Sequence, residues 1–418
     1  MHNSVVGSRP TEPRPAGAKA WAMLALVTVG FVMMTLNWFN ISTTFGDLAT
    51  EFDVGIPSLA LLISAFVVGY GLMHVPAGFL AAKIGLRTAL AAGLVLQGVT
   101  AAGSGLARNY EQLLALRIVS GVGASVYAGL GIAAVSIWFV GRAHALALGL
   151  VSAAFSLGVA IGLYTWADLV AATDWRTALI IGGVLCIISG LAIAVFYRVP
   201  AGSRSLHGTA LSSSEIRQIL QNRNLWVFGL AFFGGYGAYF AASQLISSYA
   251  VDERGIDVGQ ANIASLVVGL AGIPGSILVG WLSDRLRQRT TFVIGQLLLM
   301  SAGLMLVPFI APSWLWAAAF LIGFGFNGCF AVWQTVPGED VSIPPHHIAT
   351  AVGLMLTIAG VGGFVVPWAF GLLVPALGYT TAWVCLAAVS SACACIALAT
   401  PRRATRPLDT PLTTSATL

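Results

Sequence analysis

The stretch "GWLSDRLRQR", Gly280–Arg289, indicates how this chain folds. It places one acid and three arginines directly after a segment, 261–280, in which no residue is charged. A similar stretch with fewer charges, "GFLAAKIGLR", Gly78–Arg87, lies 202 residues earlier. Charge that appears abruptly after a long apolar run is typical of a chain leaving a lipid bilayer. Its recurrence indicates that the architecture is duplicated.

The composition places the chain in a membrane. Of 418 residues only 8% are charged and 58% are hydrophobic, and the mean hydropathy is +0.89, whereas about a quarter of the residues of a soluble domain are charged. Twelve apolar stretches are each long enough to cross a hydrocarbon core of about 30 Å. These stretches, numbered spans 1 to 12, are 20–44, 58–81, 87–106, 111–139, 145–171, 177–197, 225–250, 260–282, 291–311, 313–337, 347–375 and 379–399.

The predicted fold class is an all-α membrane protein of twelve transmembrane helices. Backbone amides in lipid need internal partners, and the apolar runs lack the alternation of barrel strands. The expected organisation is a tail at 1–19, a bundle at 20–197, a linker at 198–224 with a short helix at "SSSEIRQIL", a bundle at 225–400 and a tail at 401–418. We expect both tails to be disordered because they are rich in Pro, Thr and Arg.

The distribution of lysine and arginine predicts the orientation. If the N-terminus is cytoplasmic, 16 of the 20 Lys and Arg residues lie inside, and only Arg108, Arg176 and Arg254 lie outside. Both termini are therefore expected in the cytoplasm of a cell whose plasma (inner) membrane holds the chain. The net charge of +5 is explained by this asymmetry and requires no nucleic-acid partner. All five cysteines lie in spans and show no metal-ligand spacing, so neither disulfides nor a metal or other cofactor is expected.

Two further pairs of segments support an internal repeat. "RIVSGVGAS" in span 4 matches "FLIGFGFNG" in span 10, and "ALGLVSAAFSLGVAIG" in span 5 matches "AVGLMLTIAGVGGFVV" in span 11. The matched glycines are Gly121 with Gly323, Gly123 with Gly325, Gly149 with Gly353 and Gly158 with Gly362. The chain is therefore predicted to consist of two pseudo-symmetric six-helix bundles. Parallel repeats of this kind place a substrate site between the halves and alternate access to it by rocking.

These motifs resemble those of the major facilitator superfamily, a family of transporters. Its loop signature reads G-x-x-x-D-R/K-x-G-x-R/K-R/K. The second copy here has Gly280, Asp284, Arg285, Arg287 and Arg289, with Arg287 where the second glycine would stand. The first copy keeps Gly78, Lys83, Gly85 and Arg87, but Ala82 replaces the acid. A second signature, R-x-x-x-G-x-G, is met by Arg117, Gly121 and Gly123.

The resemblance implies that the two loops gate the pathway. A carboxylate there sits by the positive end of a facing helix, and the arginines hold carbonyls and acids across the seam between the halves when that face is closed. The predicted gating residues are Lys83, Arg87, Asp284, Arg285, Arg287 and Arg289. Because Ala82 cannot supply the acid, we expect Asp284 to carry most of the gating. The alternative is that these charges only fix the orientation of the chain.

Ionisable residues inside a membrane mark candidate functional sites. Arg117 lies six residues into span 4 and cannot lose its charge. It either braces the bundle through amides and carbonyls of span 1 or also attracts an anion. His74 in span 2 is a weaker candidate for proton coupling, because a neutral hydrogen-bonded histidine is more common.

The resemblance implies that spans 1, 4, 7 and 10 line the binding cavity. Tyr236 and Tyr239 in span 7 share one helix face, as do Asn327 and Gln334 in span 10. An aromatic and amide-lined pocket suits a small molecule with a few hydrogen-bonding groups. The alternative is that these side chains fill the bundle or lie at the membrane interface. The candidate substrate-binding residues are Asn37, Trp38, Asn40, Arg117, Tyr127, Tyr236, Tyr239, Gln244, Asn327, Trp333 and Gln334.

Two departures from relatives narrow the expected substrate. Span 5 reads "GVAIG" at Gly158–Gly162, without the proline of the drug antiporters' G-P-x-x-G-G element, which disfavours efflux. Spans 7, 8, 10 and 11 hold no basic residue that could pair with a second negative charge of a substrate. We predict a monomeric secondary active transporter that moves a small organic solute, a monocarboxylate-like anion or metabolite, together with a proton. Proton-coupled efflux of drugs or metabolites and a non-transporting membrane receptor are the alternatives, and no residue set indicates an enzyme.

Overall fold

The computed structural model describes residues 17–73, 76–139, 144–200, 213–340, 342–343 and 348–399, and their regular elements are all helices. Spans 1 to 6 contain α1 (Ala18–Phe39), α2 (Phe45–Phe52), α3 (Ile56–Leu72), α4 (Pro76–Ile84), α5 (Leu86–Ser104), α6 (Tyr110–Ser136), α7 (His144–Ala160), α8 (Trp166–Ala172) and α9 (Trp175–Phe196). The linker contains α10 (Ser213–Leu220). Spans 7 to 12 contain α11 (Arg223–Asp252), α12 (Val258–Leu270), α13 (Gly272–Leu286), α14 (Arg289–Leu306), α15 (Leu315–Trp333) and α17 (Ile348–Ile396), and the short α16 (Val336–Glu339) follows span 10.

Within these residues ten helical segments are long and apolar enough to cross a membrane, and α3 with α4 forms an eleventh, bent by 56°. The last of the ten, Thr350–Ala399, has 50 residues. At 1.5 Å per residue it is about 75 Å long, more than twice the hydrocarbon core. Its helix is interrupted at Gly378, whose φ of 81° is in the left-handed region that favours glycine. The segment therefore supplies spans 11 and 12, which confirms the twelve-helix fold class.

Two spans are distorted where they face each other. Span 1 does not end at residue 44, because a 3₁₀ segment, Asn40–Thr44, joins α1 to α2. The hydroxyl groups of Ser42, Thr43 and Thr44 each donate to the carbonyl three residues back, which suits the tighter turn. A π-helical segment, Ile161–Thr165, continues α7 into α8 and packs against this 3₁₀ segment.

Matched glycines set the packing in both halves. A Cβ at Gly121 would lie 2.0 Å from the carbonyl oxygen of Phe66, and a Cβ at Gly323 would lie 2.1 Å from that of Val268. The two contacts are related by the same 202-residue offset as the two charged loops. Spans 2 and 4, and likewise spans 8 and 10, therefore approach each other at backbone distance, as small residues allow in membrane helices.

Candidate functional site

A central cavity of about 220 Å³ lies between the two halves. Twenty residues from both halves line it, and eight of them are aromatic. Phe31, Trp38, Tyr70 and Phe155 belong to the first half, and Tyr236, Phe240, Phe326 and Phe330 to the second. The other lining residues are Met34, Ala128, Gly129, Ile132, Val151, Ser152, Ser276, Asn327, Ala331, Gln334, Val352 and Leu356.

The cavity extends toward one face of the bundle. Ile132 is near the end of α6, Gln334 caps α15 and Val352 is near the start of α17. These helix ends lie on the face that also bears the loops at Lys83 and Arg285, which we call the basic face. The other end of each span lies on the opposite face.

An aromatic stack closes the seam between the halves on the opposite-face side of the cavity. The ring of Trp38 stacks on Phe240 of the second half with centroids 4.9 Å apart, and on Phe66 with centroids 4.6 Å apart. Beyond it, the hydroxyl of Ser64 donates to the carbonyl oxygen of Phe364 at 2.7 Å. Main-chain packing is equally close there, since a Cβ at Gly371 would lie 2.6 Å from that of Ala60.

A second, larger recess of about 810 Å³ lies on the opposite face beyond this stack. Its lining includes Gln244, one turn after Phe240, and three carboxylates, Asp47, Asp174 and Asp252. Asp174 caps α9 and accepts from the hydroxyl and amide of Thr177, and these hydrogen bonds lower the pKa of the Asp174 carboxyl. The two recesses have no lining residue in common.

Arg117 is buried behind the aromatic stack. Its guanidinium donates to the carbonyl oxygens of Trp38 at 2.9 Å, Asn37 at 3.3 Å and Leu62 at 3.4 Å. It also lies 4.6 Å from the centroid of the Phe66 ring. No carboxylate among the described residues forms an ion pair with it. Its positive charge is therefore compensated by main-chain dipoles and a ring face alone.

Four of the eleven predicted binding residues line the central cavity: Trp38, Tyr236, Asn327 and Gln334. Gln244 lines the opposite recess instead. The remaining six residues, Asn37, Asn40, Arg117, Tyr127, Tyr239 and Trp333, are buried in the helix packing and are not part of either lining.

The hydrogen bonds of these buried residues explain their placement. The amide of Asn37 donates to Gly182 in span 6, and the phenol of Tyr127 donates to Val27. The indole of Trp333 donates to the carbonyl of Phe228. Tyr239 stacks on the far side of Phe326, with centroids 3.7 Å apart. Asn40 lies close to the same Gly182 as Asn37.

Sequence reasoning missed six of the eight cavity rings. Phe31, Tyr70, Phe155, Phe240, Phe326 and Phe330 were not predicted as binding residues. A weak signal was available in span 10, where Phe326 and Phe330 border the face of Asn327 and Gln334. Phenylalanine is so common in membrane helices that this pattern alone does not distinguish a cavity wall from ordinary packing.

The second loop forms a compact ion-paired turn. The guanidinium of Arg289 lies 2.6 Å from the carboxylate of Asp284 and donates to the hydroxyl of Ser283 at 2.9 Å. Arg285 lies over the ring of Trp281. Arg287 has a φ of 53°, in the left-handed region where the family signature has a glycine.

The first loop has the same shape with fewer contacts. Gly85 has a φ of 87°, at the position equivalent to Arg287. Lys83 and Arg87 are exposed, and neither forms an ion pair with a described residue. His74 lies outside the described residues.

Asp340, after span 10, is a buried carboxylate near the basic face. It accepts hydrogen bonds from Asn222 and Asn224 at the start of span 7 and from the amide and hydroxyl of Ser342. Burial alone raises the pKa of this carboxyl, but the four hydrogen bonds outweigh that effect and the pKa is lowered. The cluster joins the start of span 7 to the segment after span 10.

The fold and cavity define a helical membrane protein whose two halves enclose a solute-sized space that is closed on one side. The sequence profile described as "Major Facilitator Superfamily" matches residues 27–367. The chain belongs to this superfamily, and like its other members it is a transporter and not an enzyme.

Individual relatives are distant. The chain is 25% identical to the probable L-galactonate transporter of Escherichia coli strain K12, over 72% of this chain and 71% of that one. It is 26% identical to the probable sulfoacetate transporter of Cupriavidus necator, over 85% and 87%. A bacterial homologue of the human lysosomal transporter Spinster, in an inward-facing and unoccupied conformation, has the same fold, with a TM-score of 0.72 and 15% identity over 92% and 96%.

Proposed function

We propose that the protein is a secondary active transporter of a small organic anion with one carboxylate. The observation that carries the proposal is the buried guanidinium of Arg117, which no described carboxylate neutralises. Charged groups at this depth are costly and usually serve a pathway. The two relatives named above, described as probable transporters of L-galactonate and of sulfoacetate, support a small organic anion as the substrate.

The charge of Arg117 reaches the cavity through the ring stack. The Trp38 ring lies no more than about 9 Å from the guanidinium, since Phe66 separates them by two contacts of 4.6 Å. With an effective dielectric constant of about 20, a unit negative charge at about 9 Å is attracted by about 2 kcal/mol. This attraction favours an anion over a neutral solute without direct contact. No basic side chain of the described lining could pair with a second negative charge, which is why we propose a monoanion.

Alternating access supplies the transport mechanism. The basic face, with 16 of the 20 Lys and Arg residues on its loops and tails, is proposed to be cytoplasmic in a plasma (inner) membrane. The stack of Trp38 and Phe240 then closes the outer side while the cavity extends inward. Rocking of the two halves would separate the stack and bring the two charged loops together, in a protein that functions as a monomer.

Coupling to a proton is part of the proposal. No carboxylate or histidine is among the described residues of the central cavity, so the proton would bind elsewhere or travel on the substrate. Asp47 and Asp252 in the opposite recess are the candidate sites. Proton-coupled efflux of drugs or metabolites is the second candidate function, because the aromatic lining also suits uncharged apolar solutes.

Transport by purified protein in proteoliposomes tests the proposal. Uptake of a panel of monocarboxylates, dicarboxylates and neutral drugs is measured with an imposed pH gradient and again after the gradient is collapsed by an ionophore. We expect gradient-dependent uptake of at least one monocarboxylate and none of the dicarboxylates. Transport of neutral compounds alone would contradict the anion proposal and favour the efflux function. Uptake that is the same with and without the pH gradient would contradict proton coupling.

A further inference from the structure

We infer that the transported anion is a flat, apolar monocarboxylate of the aryl-acid type, not a polyhydroxylated acid. The inference rests on the proposed function for the negative charge and adds the chemistry of the rest of the molecule. Four properties of the central cavity carry it: its ring surface, its few available polar groups, one indole N–H and its volume.

Rings from both halves form the walls of the cavity. Tyr236 meets Phe240 edge to face with centroids 4.9 Å apart, and Phe326 lies parallel to Phe330 with centroids 6.2 Å apart. Across the seam, Trp38 and Phe155 supply rings from the first half. Aromatic pairs prefer offset-stacked and edge-to-face arrangements, both of which such walls offer to an inserted ring.

The hydrogen-bonding capacity of the lining is small. Asn327 donates to the carbonyl of Gly323, and its side chain is also hydrogen-bonded to Tyr239. Ser276 donates to Ile273 within its own helix. The polar side-chain atoms of Ser152, Tyr236 and Gln334 have no hydrogen-bond partner among the described residues and remain available. A hydroxyl group buried without a hydrogen bond costs free energy, and three such side chains are too few to satisfy every hydroxyl of a sugar acid together with its carboxylate.

One donor is suited to the carboxylate. The indole N–H of Trp38 has no acceptor in the described part of the chain, and its nitrogen is inaccessible in this conformation, so an acceptor in the cavity reaches it only when the ring moves. An unpaired buried donor of this kind is destabilising until an acceptor reaches it. Trp38 is also the residue whose carbonyl Arg117 holds. The carboxylate is therefore placed at the Trp38 end of the cavity, with the apolar body between the phenylalanine walls.

The volume agrees with a small ring. About 220 Å³ corresponds to about seven water molecules at their share of the liquid. This space admits one ring with a short acidic arm. Size alone does not separate an aryl acid from a hexonic acid, so the ring surface and the shortage of hydrogen-bonding groups decide between them.

Three probes separate the inference from the proposed function: phenylacetate, galactonate and the uncharged 2-phenylethanol. Binding to purified wild type is measured by thermal shift and by competition with radiolabelled phenylacetate. We expect phenylacetate to bind at least tenfold more tightly than either other probe. Equal or tighter binding of galactonate would overturn the inference and leave the anion proposal intact. Equal binding of 2-phenylethanol would overturn the proposed anion function instead, and failure of phenylacetate to bind would overturn the inference.

A conservative variant tests the placement of the carboxylate. Trp38→Phe keeps a ring in the stack and removes the N–H, and we expect its affinity for phenylacetate to fall about tenfold, the loss of one hydrogen bond to a charged group. Binding of 2-phenylethanol should change less than twofold. Trp383→Phe is the matched control, because Trp383 in span 12 also has a buried N–H without a described partner and lies outside the cavity lining. An equal loss of phenylacetate affinity in both variants, or no loss in Trp38→Phe, would contradict the placement.

Discussion

The two charged loops have the same backbone shape and different chemistry. Gly85 and Arg287 occupy equivalent positions, and both have positive φ, 87° and 53°. Asp284 pairs with Arg289 in the second loop, whereas Ala82 leaves Arg87 without that pair in the first. The two copies of the repeat therefore share the conformation of the turn although the residue at the turn differs. The charged residues of the two loops, by contrast, are not the same.

The same contrast extends into the two bundles. At the offset that relates Gly121 to Gly323, the position of Arg117 is taken by Ala319. Both residues are buried. The first half thus stabilises a cation in its interior, and the second half holds the larger aromatic cluster around Phe232 and Phe326. The two halves therefore have equivalent glycine-mediated helix crossings, but at the position of Arg117 the first half holds a charged residue and the second an apolar one.

The largest expected effect comes from removing the charge that only the first half has. Arg117→Gln leaves three buried carbonyls short of donors, and we expect a loss of about 2–5 kcal/mol in the free energy of unfolding. Arg117→Lys should lose less but still be impaired, because it lacks the planar fork. Thermal unfolding of the detergent-purified variants measures both.

Arg254→Gln is the matched control. Arg254 also donates to three main-chain carbonyls, those of Val307, Pro308 and Ile310, but it is only half-buried at the end of span 7. It should lose about 1 kcal/mol. If the phenylacetate-induced thermal shift is the same in wild type and both Arg117 variants, Arg117 is a brace alone and the anion proposal loses its main support.

The second prediction tests the glycine-mediated helix crossings that both halves share. Gly121→Ala and Gly323→Ala each place a methyl group about 2 Å from a carbonyl oxygen of a neighbouring span. Overpacking of this kind costs about 1–3 kcal/mol, and we expect similar losses of thermal stability in the two variants. Gly295→Ala, where no atom lies within 4 Å of the added Cβ, is the control. Losses that differ by more than about 2 kcal/mol would mean that the two crossings are not equivalent.

The sequence was sufficient for the fold because glycine spacing and loop charge report directly on helix crossings and chain reversals. It was insufficient for the cavity lining, because the spans are apolar on all sides and periodicity does not indicate which face meets which neighbour. Asn37 shows why. It contacts span 6 because Gly182 leaves room there: a Cβ at Gly182 would lie 2.8 Å from the Asn37 amide oxygen. The rotation of span 1 thus depends on a glycine 145 residues away.

The third prediction exchanges the residues at the shared left-handed turn. A side chain with a Cβ costs about 1–2 kcal/mol in this conformation, so Arg287→Gly should raise the thermal stability by about 1 kcal/mol. Gly85→Ala should lower it by a similar amount. Arg287→Asn, which removes the charge but tolerates positive φ, separates conformation from electrostatics. Stabilisation by Arg287→Ala as large as that by Arg287→Gly would contradict the conformational explanation.

The smallest expected effect concerns the ion pair that distinguishes the two loops. The Asp284 side chain is 68% exposed, and an exposed pair contributes at most about 1 kcal/mol. Asp284→Asn should therefore lower stability by less than that amount, and the difference should vanish in about 1 M salt, where the Debye length is about 3 Å.

Ala82→Asp supplies the first loop with the equivalent acid five residues before Arg87 and should produce a gain of the same size with the same salt dependence. If the loop charges also gate the pathway, as the family signature predicts, an acid in both loops should stabilise the closed basic face. Ala82→Asp should then slow turnover in proteoliposomes, while Asp284→Asn should not slow it by the same route. Unchanged turnover in both variants, with the expected salt-dependent stabilities, would mean that these charges orient the chain in the membrane and do not gate it.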